Sequence, residues 1–461
     1  MTIDAGWSKT VKQLSRHAFQ TERPALLRAQ PHVVFIDGQI KLMKAEWINS
    51  WSEFLRAQFY KMIDQAFADG ARVVVLGFDD YAHVPSAKSP TQRKRSNHVK
   101  ALTFHESDEL PASMPAEWNS AMRNRVFKTK VVGLITRNVA ERYKDSAHTL
   151  IIDWVGAPVA HGRALELPPL LRAEAEGGEA LRRGECDVKA FAWMHLGLPL
   201  LIESTDGDFL PMSLLQLART GGGEGADPPP QVILHRMLTN VDGAKAKRGA
   251  SGRAKREYEY VHVNAVLPAL AAAMHPTEFA SSLSPDGQRQ LAQATAHSFA
   301  LLVATTGCDF CLSLPGLGPT RLWALRNGSV LMPGVSPQRR SELWETRPVE
   351  VLLHACIKLY SNMFRKHIPG KSYHSSPEQD LEVLSRTYGD MHARLTSERG
   401  PALRLPPWSV PRLLAHLRNT VWTVEYWSTL HEFPDPLQVD DTGTPLYGFC
   451  QQQGRVVFVG T

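Results

Sequence analysis

Seven acidic residues stand at positions from which their carboxylates could act together on one ligand. Two pairs are each separated by a single residue, Glu185 and Asp187 in GECD and Asp206 and Asp208 in TDGD. In an extended or turn segment, side chains at i and i+2 project the same way, so each pair can converge on one cation. The full set is Asp37, Asp79, Glu185, Asp187, Asp206, Asp208 and Asp309.

Such a cluster indicates divalent-metal chemistry. Converging carboxylates cannot all stay ionised unless a cation neutralises them. Oxygen ligands without His or Cys favour Mg²⁺ or Mn²⁺ over Zn²⁺. Two such ions about 4 Å apart can stabilise the attacking and leaving oxygens of a phosphodiester displacement. A single Asp at a strand end is more often a turn former or helix cap, and Asp153 in LIIDW is left out for that reason.

The elements predicted between these acids would bring several of them to one edge of a sheet. Buried apolar runs predict strands at 32–36, 71–78, 148–156 and 198–204. Helical patterns separate them, which predicts an α/β fold, a mostly parallel sheet with helices on both faces. Ligands bind beyond the carboxyl ends of such strands. Asp37, Asp79 and Asp206 fall at those ends.

Lysine and arginine are clustered, which favours an anionic partner. The stretches 88–100, 121–144 and 245–256 hold eighteen of the 52 basic residues in a chain of net charge +6. A basic run is usually a solvated face, but beside the acidic pattern the first two favour phosphate contact. The third resembles a nuclear-import signal as much as a disordered arm. From that run alone we expect an intracellular, nuclear location.

Composition excludes several other classes of protein. With 461 residues, 43% hydrophobic and 21% charged, the chain is neither disordered, collagen-like nor stapled by disulfides. Its five cysteines are too few for a disulfide framework, which favours a reducing compartment. No apolar run approaches the ~20 residues of a membrane span, so we expect no membrane association.

Five segments resemble the flap-endonuclease family, the structure-specific 5′ nucleases with a PIN-like fold. They are FIDG around Asp37, VLGFDD around Asp79, GECD, ESTDGD and, most specifically, GCDFCLSLPGLGPTRLWAL at 307–325. The last is similar to the family's final metal-binding Asp, here Asp309, followed by a helix-two-turn-helix module that grips duplex backbone. Because glycine has no side chain, Gly316 and Gly318 would let the protein backbone come close to the phosphates of the duplex. The resemblance covers 32–340 in pieces.

The resemblance also implies roles for individual residues. Asp79, Glu185 and Asp187 would hold one metal ion, and Asp206, Asp208 and Asp309 the second, with Asp37 close to both. Lys88 and Arg95 match the spacing of two family cations that steer the scissile phosphate at a helical gateway, and Arg93 competes for the second role. Basic residues of the arch that admits a single strand would be Arg123, Arg125, Lys128 and Lys130.

The predicted organisation has four parts. Residues 1–208 form the N-terminal part of a nuclease core, with the gateway and arch at about 88–145. Residues 209–285, which contain GGGEGADPPP, form an insertion, because Asp208 and Asp309 lie further apart than in ordinary family members. Residues 286–345 carry the last metal ligand and the helix-two-turn-helix, and 346–461 form a mainly helical extension with no assigned chemistry.

These observations predict a Mg²⁺-dependent 5′ nuclease, with Mn²⁺ able to substitute, that hydrolyses DNA at single-strand/double-strand junctions in repair or replication. Flap cleavage and 5′→3′ exonuclease activity both fit. An RNA-directed 5′→3′ nuclease with the same acidic core is the alternative, and Lys88, Gln92 and Arg95 do not separate the two. An inactive nucleic-acid-binding scaffold is disfavoured by the retained acids. We expect a monomer and find no clear sliding-clamp-binding peptide.

Overall fold

The computed structural model describes most of the chain, and all structural statements below concern that part. The described residues are 5–42, 48–79, 103–155, 158–167, 185–220, 230–237, 258–279, 282–308, 314, 318–323, 339, 342–343, 346–364, 373–399, 409–430, 449–452 and 455–458. Several residues singled out above lie outside it, namely Lys88, Arg93, Arg95, Asp309, Gly316 and the basic run 245–256.

An eight-stranded sheet forms the centre of the molecule, in the order β1-β8-β7-β6-β2-β3-β4-β5. The five neighbouring strands β7, β6, β2, β3 and β4 run parallel. At the two ends of the sheet, β5 pairs antiparallel with β4, β8 with β7, and β1 with β8. The strands are β1 (Phe19–Gln20), β2 (His32–Asp37), β3 (Ala71–Gly77), β4 (Thr149–Asp153), β5 (Val159–Gly162), β6 (Leu200–Glu203), β7 (Val232–Met237) and β8 (Tyr258–His262). A separate hairpin pairs β9 (Phe449–Gln452) with β10 (Arg455–Phe458).

Helices cover both faces of the sheet and make up most of the described C-terminal region. They are α1 (Ala5–Leu14), α2 (Ala25–Ala29), α3 (Gly38–Leu42), α4 (Trp51–Leu55), α5 (Lys61–Ala68), α6 (Trp118–Ala121), α7 (Arg125–Tyr143), α8 (Cys186–Ala190), α9 (Phe209–Thr220), α10 (Val263–Met274), α11 (Pro276–Phe279), α12 (Pro285–Thr306), α13 (Pro319–Trp323), α14 (Pro348–Phe364), α15 (Leu381–Arg399) and α16 (Val410–Ser428). A π-helical turn joins α4 to α5, and a 3₁₀ turn follows α8.

The central strands are buried on both faces because alternate side chains enter two different cores. In β2, Val33 and Phe35 pack with the face covered by α9, α10 and α12, whereas Val34 and Ile36 pack with α4, α5 and α7. Strands covered on both faces are expected to be continuously apolar, as HVVFI and RVVVLG are. The predicted α/β class with a mostly parallel, helix-flanked sheet is therefore confirmed, and it is consistent with a PIN-like fold.

The segment 209–285, which the sequence sets apart as an insertion, contributes to the sheet itself. Its described parts include β7, which pairs in parallel with β6, and β8, which pairs antiparallel with β7. Val232, Ile233 and Leu234 are buried in the two cores. No strand is predicted here from the sequence, because VILHRM and YEYVH are short and lie beside a Gly/Pro-rich stretch and a basic run. The bounds of the insertion stay a prediction.

The stretch 121–144 belongs to the gateway and arch predicted at about 88–145, an assignment that stays a prediction because residues 80–102 lie outside the described part of the chain. It folds mainly as α7, whose Phe127, Val131, Ile135 and Val139 are buried against one face of the sheet. These apolar residues recur at helical spacing, but the basic residues between them dominate the composition of the stretch. Arg142 at the end of α7 pairs with Asp64 of α5, with 2.9 Å between guanidinium and carboxylate.

None of the described helices combines the length and the apolar character that crossing a bilayer requires. The region after residue 346 is mainly helical where it is described, as the sequence predicts. There α14 packs against α15 and α16, and α16 also contacts α9 and α12. This helical layer completes one of the two cores.

A candidate metal centre at the carboxyl edge of the sheet

Three neighbouring parallel strands deliver acidic residues to one edge. The strands β6, β2 and β3 are adjacent, with β2 in the middle. Asp37 is the last residue of β2, Asp79 follows β3 after one intervening residue, and Asp206 lies three residues beyond β6. Because the strands run parallel, all three acids emerge on the same side of the molecule.

Asp37 is held in place by hydrogen bonds on both carboxylate oxygens. Oδ1 accepts from the backbone N–H of Gln39 at 3.0 Å, so the side chain caps the start of α3. Oδ2 accepts from the Ser204 hydroxyl at 3.0 Å, and the same hydroxyl oxygen accepts from the backbone N–H of Asp206 at 3.1 Å. Ser204 therefore links the end of β2 to the loop after β6.

Glu185 and Asp187 reach the same edge from the start of α8, and both are buried. The backbone N–H of Cys186, between them, donates to Asp79 Oδ1 at 2.7 Å, which anchors α8 to the end of β3. On the other side, the backbone N–H of Asp208 donates to Asp206 Oδ1 at 3.0 Å. Both i, i+2 pairs thus lie in hydrogen-bonded turns around the central strands.

The carboxylates are close enough to affect one another's ionisation. The pKa of Asp37 is raised from its ordinary value to about 7, chiefly by burial and then by the negative charges of Asp79, Asp206 and Asp187, while the Ser204 hydrogen bond lowers it. Mutual repulsion of this kind is relieved when a cation binds. Burial, and then the charges of Asp37 and Asp79, raise the pKa of the Cys186 thiol.

Lys128 is a cation placed directly at this acidic edge. It lies in the second turn of α7 and interacts electrostatically with Asp79, Glu185 and Asp37, although burial lowers its pKa. A small cleft opens here beside Asp79. Its lining consists of Gln39, Asp79, Arg125, Lys128, Thr129, Val132 and Trp154. The cleft thus presents positive charge from α7 next to negative charge from the strand ends.

Two glycines allow the chain to pack closely around the acids. A Cβ on Gly38 would lie 2.3 Å from the Phe78 ring and 2.7 Å from the Gly77 carbonyl oxygen. A Cβ on Gly77 would lie 2.4 Å from the Phe35 ring and 2.9 Å from Cys186 Sγ. Real Cβ atoms do not approach so closely, so these positions have room only for hydrogen.

A buried lysine forms hydrogen bonds to the backbone just after β3 and β4. Lys189 Nζ donates to the backbone carbonyl oxygens of Phe78 at 2.7 Å and Trp154 at 2.5 Å, and it lies 3.8 Å from Asp153 Oδ1. Lys189 and Asp153 are almost fully inaccessible to solvent. Asp153, left out of the acidic set, is the counter-charge of this lysine. Lys189 therefore ties α8 to the segment that carries Asp79.

The donor set suits a hard divalent cation, because the described ligand candidates are all carboxylates. Within the described residues, no three His, Cys, Asp or Glu side chains are already arranged as a metal-binding group. Asp309 lies outside that part of the chain, so the predicted second set of ligands is described only through Asp206 and Asp208. Metal binding stays a prediction for all seven acids.

The remaining predicted nucleic-acid contacts are dispersed. Arg123 is exposed before α7, and Gly318 is exposed immediately before α13. Lys130 donates to the backbone carbonyl oxygens of Glu106 and Asp108 and lies 5.8 Å from the centroid of the Phe104 ring. Those contacts attach a loop to α7, and a role of Lys130 in binding nucleic acid stays a prediction.

Two residues that organise the site were missed at the sequence level. Ser204 lies inside the quoted ESTDGD motif, and its spacing of two residues before Asp206 is typical of a turn-stabilising hydroxyl. Lys189 lies two residues after Asp187 in the otherwise apolar run VKAFAW, and a lone lysine in a buried segment is the signal that could have found it.

Comparison with known proteins gives no family assignment. No protein-family model matches the chain, and no curated protein matches it. One match among solved structures is the catalytic core of Rad2 in complex with a DNA substrate, at 12% identity and a TM-score of 0.34, covering 88% of this chain and 98% of that one.

Proposed function

We propose that this protein is a divalent-metal-dependent, structure-specific 5′ nuclease that hydrolyses phosphodiester bonds in DNA. The observation that supports the proposal most strongly is the meeting of Asp37, Asp79, Asp187 and Asp206 at one edge of the sheet, where burial and then the charges of the other three raise the pKa of Asp37. A protein gains no stability from burying acids against one another, so such a group favours a binding role.

The ligands proposed for the metal ions follow from the positions of the acids. Asp79, Glu185 and Asp187 surround the junction of β3 with α8 and would hold one ion. Asp206 and Asp208, with Asp309, would hold the second, and Asp37 lies between the two groups. When bound, Mg²⁺ or Mn²⁺ would supply an acidified water and stabilise negative charge on the reacting phosphate.

The chain's own residues would position the nucleic acid. Lys128 and Arg125 line the cleft beside Asp79 and would bind the oxygens of the scissile phosphate. A fixed cation at that place stabilises the charge that develops on the phosphoryl group in the transition state. Asp37, tied to Gln39 and Ser204, would keep the central strand end rigid and exclude water from one side.

The substrate class is tested with the purified full-length chain and a matched set of 5′-labelled molecules. The set comprises a DNA flap, the corresponding nicked duplex, a single strand and the same flap made of RNA, each with Mg²⁺, Mn²⁺ or EDTA. We expect cutting of the DNA flap near its junction with either metal and no cutting in EDTA.

Other outcomes would redirect or reject the proposal. Preferential degradation of RNA from its 5′ end would support the alternative, an RNA-directed 5′→3′ nuclease with the same acidic edge. Tight binding of the flap without cleavage in either metal would reject the enzyme and leave a nucleic-acid-binding scaffold.

A further inference from the structure

A large cavity lies among the helices on one side of the sheet. It has a volume of about 550 Å³, within the range of pockets that hold drug-sized ligands. It is lined by α9, α12, α16 and the first residue of α14 and opens to solvent, where Arg219 and Glu425 are exposed. The lining residues are Leu215, Ala218, Arg219, Gln293, Ala294, His297, Leu301, Pro348, Val421, Val424, Glu425, Ser428 and Thr429.

The cavity is separate from the acidic edge. Asp208 immediately precedes α9, whereas the cavity is lined by the last turns of that helix, including Ala218 and Arg219. At a rise of about 1.5 Å per residue, Arg219 lies roughly 16 Å further along the helix than Asp208. A molecule in the cavity would therefore not contact the proposed metal ligands, and the inference below does not rest on the proposed function.

Four polar side chains enter the cavity with open hydrogen-bonding capacity. Arg219, Gln293, His297 and Glu425 form no side-chain hydrogen bond or ion pair in the part of the chain that the structure describes. Arg219 is nevertheless close enough to His297 and Glu425 to influence both electrostatically. A guanidinium, a carboxylate and an amide therefore face a shared space that protein groups do not fill.

Apart from the hydroxyl residues Ser428 and Thr429, the rest of the lining is apolar. Leu215 and Ala218 come from α9, Leu301 from α12, and Val421 and Val424 from α16. Walls of this kind pack well against the faces of a planar ring. The ligand that suits the cavity thus has an apolar, planar body and one edge that carries a hydrogen-bond acceptor beside N–H donors.

We propose that this cavity binds a guanine nucleoside. Guanine O6 and N7 are acceptors that suit a bidentate arginine, here Arg219. Its N1–H and N2–H₂ groups lie on the adjacent Watson–Crick edge and would donate to the carboxylate of Glu425, with Gln293 within the same lining. An apolar amino acid would also satisfy one cation and one anion, but it would leave most of the 550 Å³ empty.

The test is calorimetric titration of the full-length protein with guanosine, inosine, cytidine and leucine. Guanosine is expected to bind, and inosine, which lacks the N2 amino group, about tenfold more weakly because a hydrogen bond to a charged acceptor is lost. Arg219→Gln and Glu425→Gln should each weaken guanosine binding by about tenfold or more. Arg386→Gln and Glu382→Gln, exposed positions on α15 that do not line the cavity, are the matched controls.

Three results would overturn the proposal. One is the absence of heat with guanosine at millimolar concentration while the protein remains folded by circular dichroism. The second is guanosine binding that both cavity variants retain unchanged, which would place the ligand elsewhere. The third is tighter binding of cytidine or leucine than of guanosine, which would assign the cavity to another ligand class.

Discussion

Asp37 illustrates at the scale of single residues why the acidic edge is unusual. Its carboxylate is hydrogen-bonded, yet burial, and then the charges of neighbouring acids, raise its pKa to about 7. Repulsion between buried negative charges opposes folding. The acids nevertheless lie together at the edge where the carboxyl ends of β2, β3 and β6 meet. Lys128, which offsets part of that charge, comes from α7; its sequence neighbourhood predicts phosphate contact but not its position beside the acids.

Replacing Lys128 tests whether it acts at the reacting phosphate. Lys128→Gln should lower the single-turnover rate of DNA cleavage by about 10- to 100-fold, because a fixed cation beside the developing charge is lost. Arg137→Gln removes an exposed charge from the same helix and is the control, with little expected change. Equal rates for the two variants would show that Lys128 has no part in the reaction.

The buried His416 in α16 should make the free energy of unfolding depend on pH. Burial lowers its pKa to about 4, whereas an exposed histidine titrates near 6.5. As the pH falls, His416 therefore binds its proton in the unfolded chain before it does so in the folded protein. The contribution of the neutral, buried His416 to the free energy of unfolding is complete above pH 6.5 and is lost as the pH falls to 4. Between those limits the difference is about 3 kcal/mol.

The measurement is the free energy of unfolding in urea at pH 7.5 and pH 4.5, for wild type and His416→Gln. The variant should lose less stability on acidification than wild type does. An identical acid-dependent loss in both proteins would show that His416 does not titrate in this way.

At the scale of elements, the sequence predicts strands and helices well where one pattern dominates. The apolar runs of β2 and β3 lie close to their expected bounds. Prediction fails where two patterns compete. In α7 the many basic residues obscure the apolar residues at helical spacing, so the sequence does not predict its buried face. In β7 and β8 the neighbouring Gly/Pro-rich and basic stretches are typical of loops, so no strand is predicted. The contacts of Lys189 and Ser204 bridge residues far apart in sequence, so no local pattern specifies them.

The link between α8 and the strand ends predicts the effect of removing Lys189. Lys189→Met leaves Asp153 buried without its cation and the carbonyl groups of Phe78 and Trp154 without their donor. We expect the free energy of unfolding to fall by roughly 3–5 kcal/mol. Cleavage activity should also fall at temperatures where the protein remains folded, because Asp79 loses its support.

The double variant Lys189→Met/Asp153→Leu is the matched control for charge burial. It removes both partners, and such replacements are often close to neutral, so it should be more stable than Lys189→Met alone. Additive losses in the double variant would contradict a coupled buried pair.

At the scale of the whole molecule, the proposed metal centre and the proposed ligand cavity lie in different places around the central sheet. The carboxyl edge gathers acids from β2, β3, β6 and α8 and basic residues from α7. The helical layer formed by α9, α12, α14 and α16 lines the cavity about three helical turns away along α9. Because α9 runs from Asp208 to the cavity, it is the one described element that belongs to both.

The central claim is that the gathered carboxylates bind the metal ions used for DNA hydrolysis, and one comparison tests it most directly. Single-turnover cleavage of a 5′-labelled DNA flap is measured across a Mg²⁺ titration for wild type, Asp187→Asn and, as a surface control, Asp145→Asn. We expect Asp187→Asn to lose at least about 100-fold in rate and to require more Mg²⁺, with Asp145→Asn unchanged. Full activity of Asp187→Asn at the same Mg²⁺ concentration would contradict the claim.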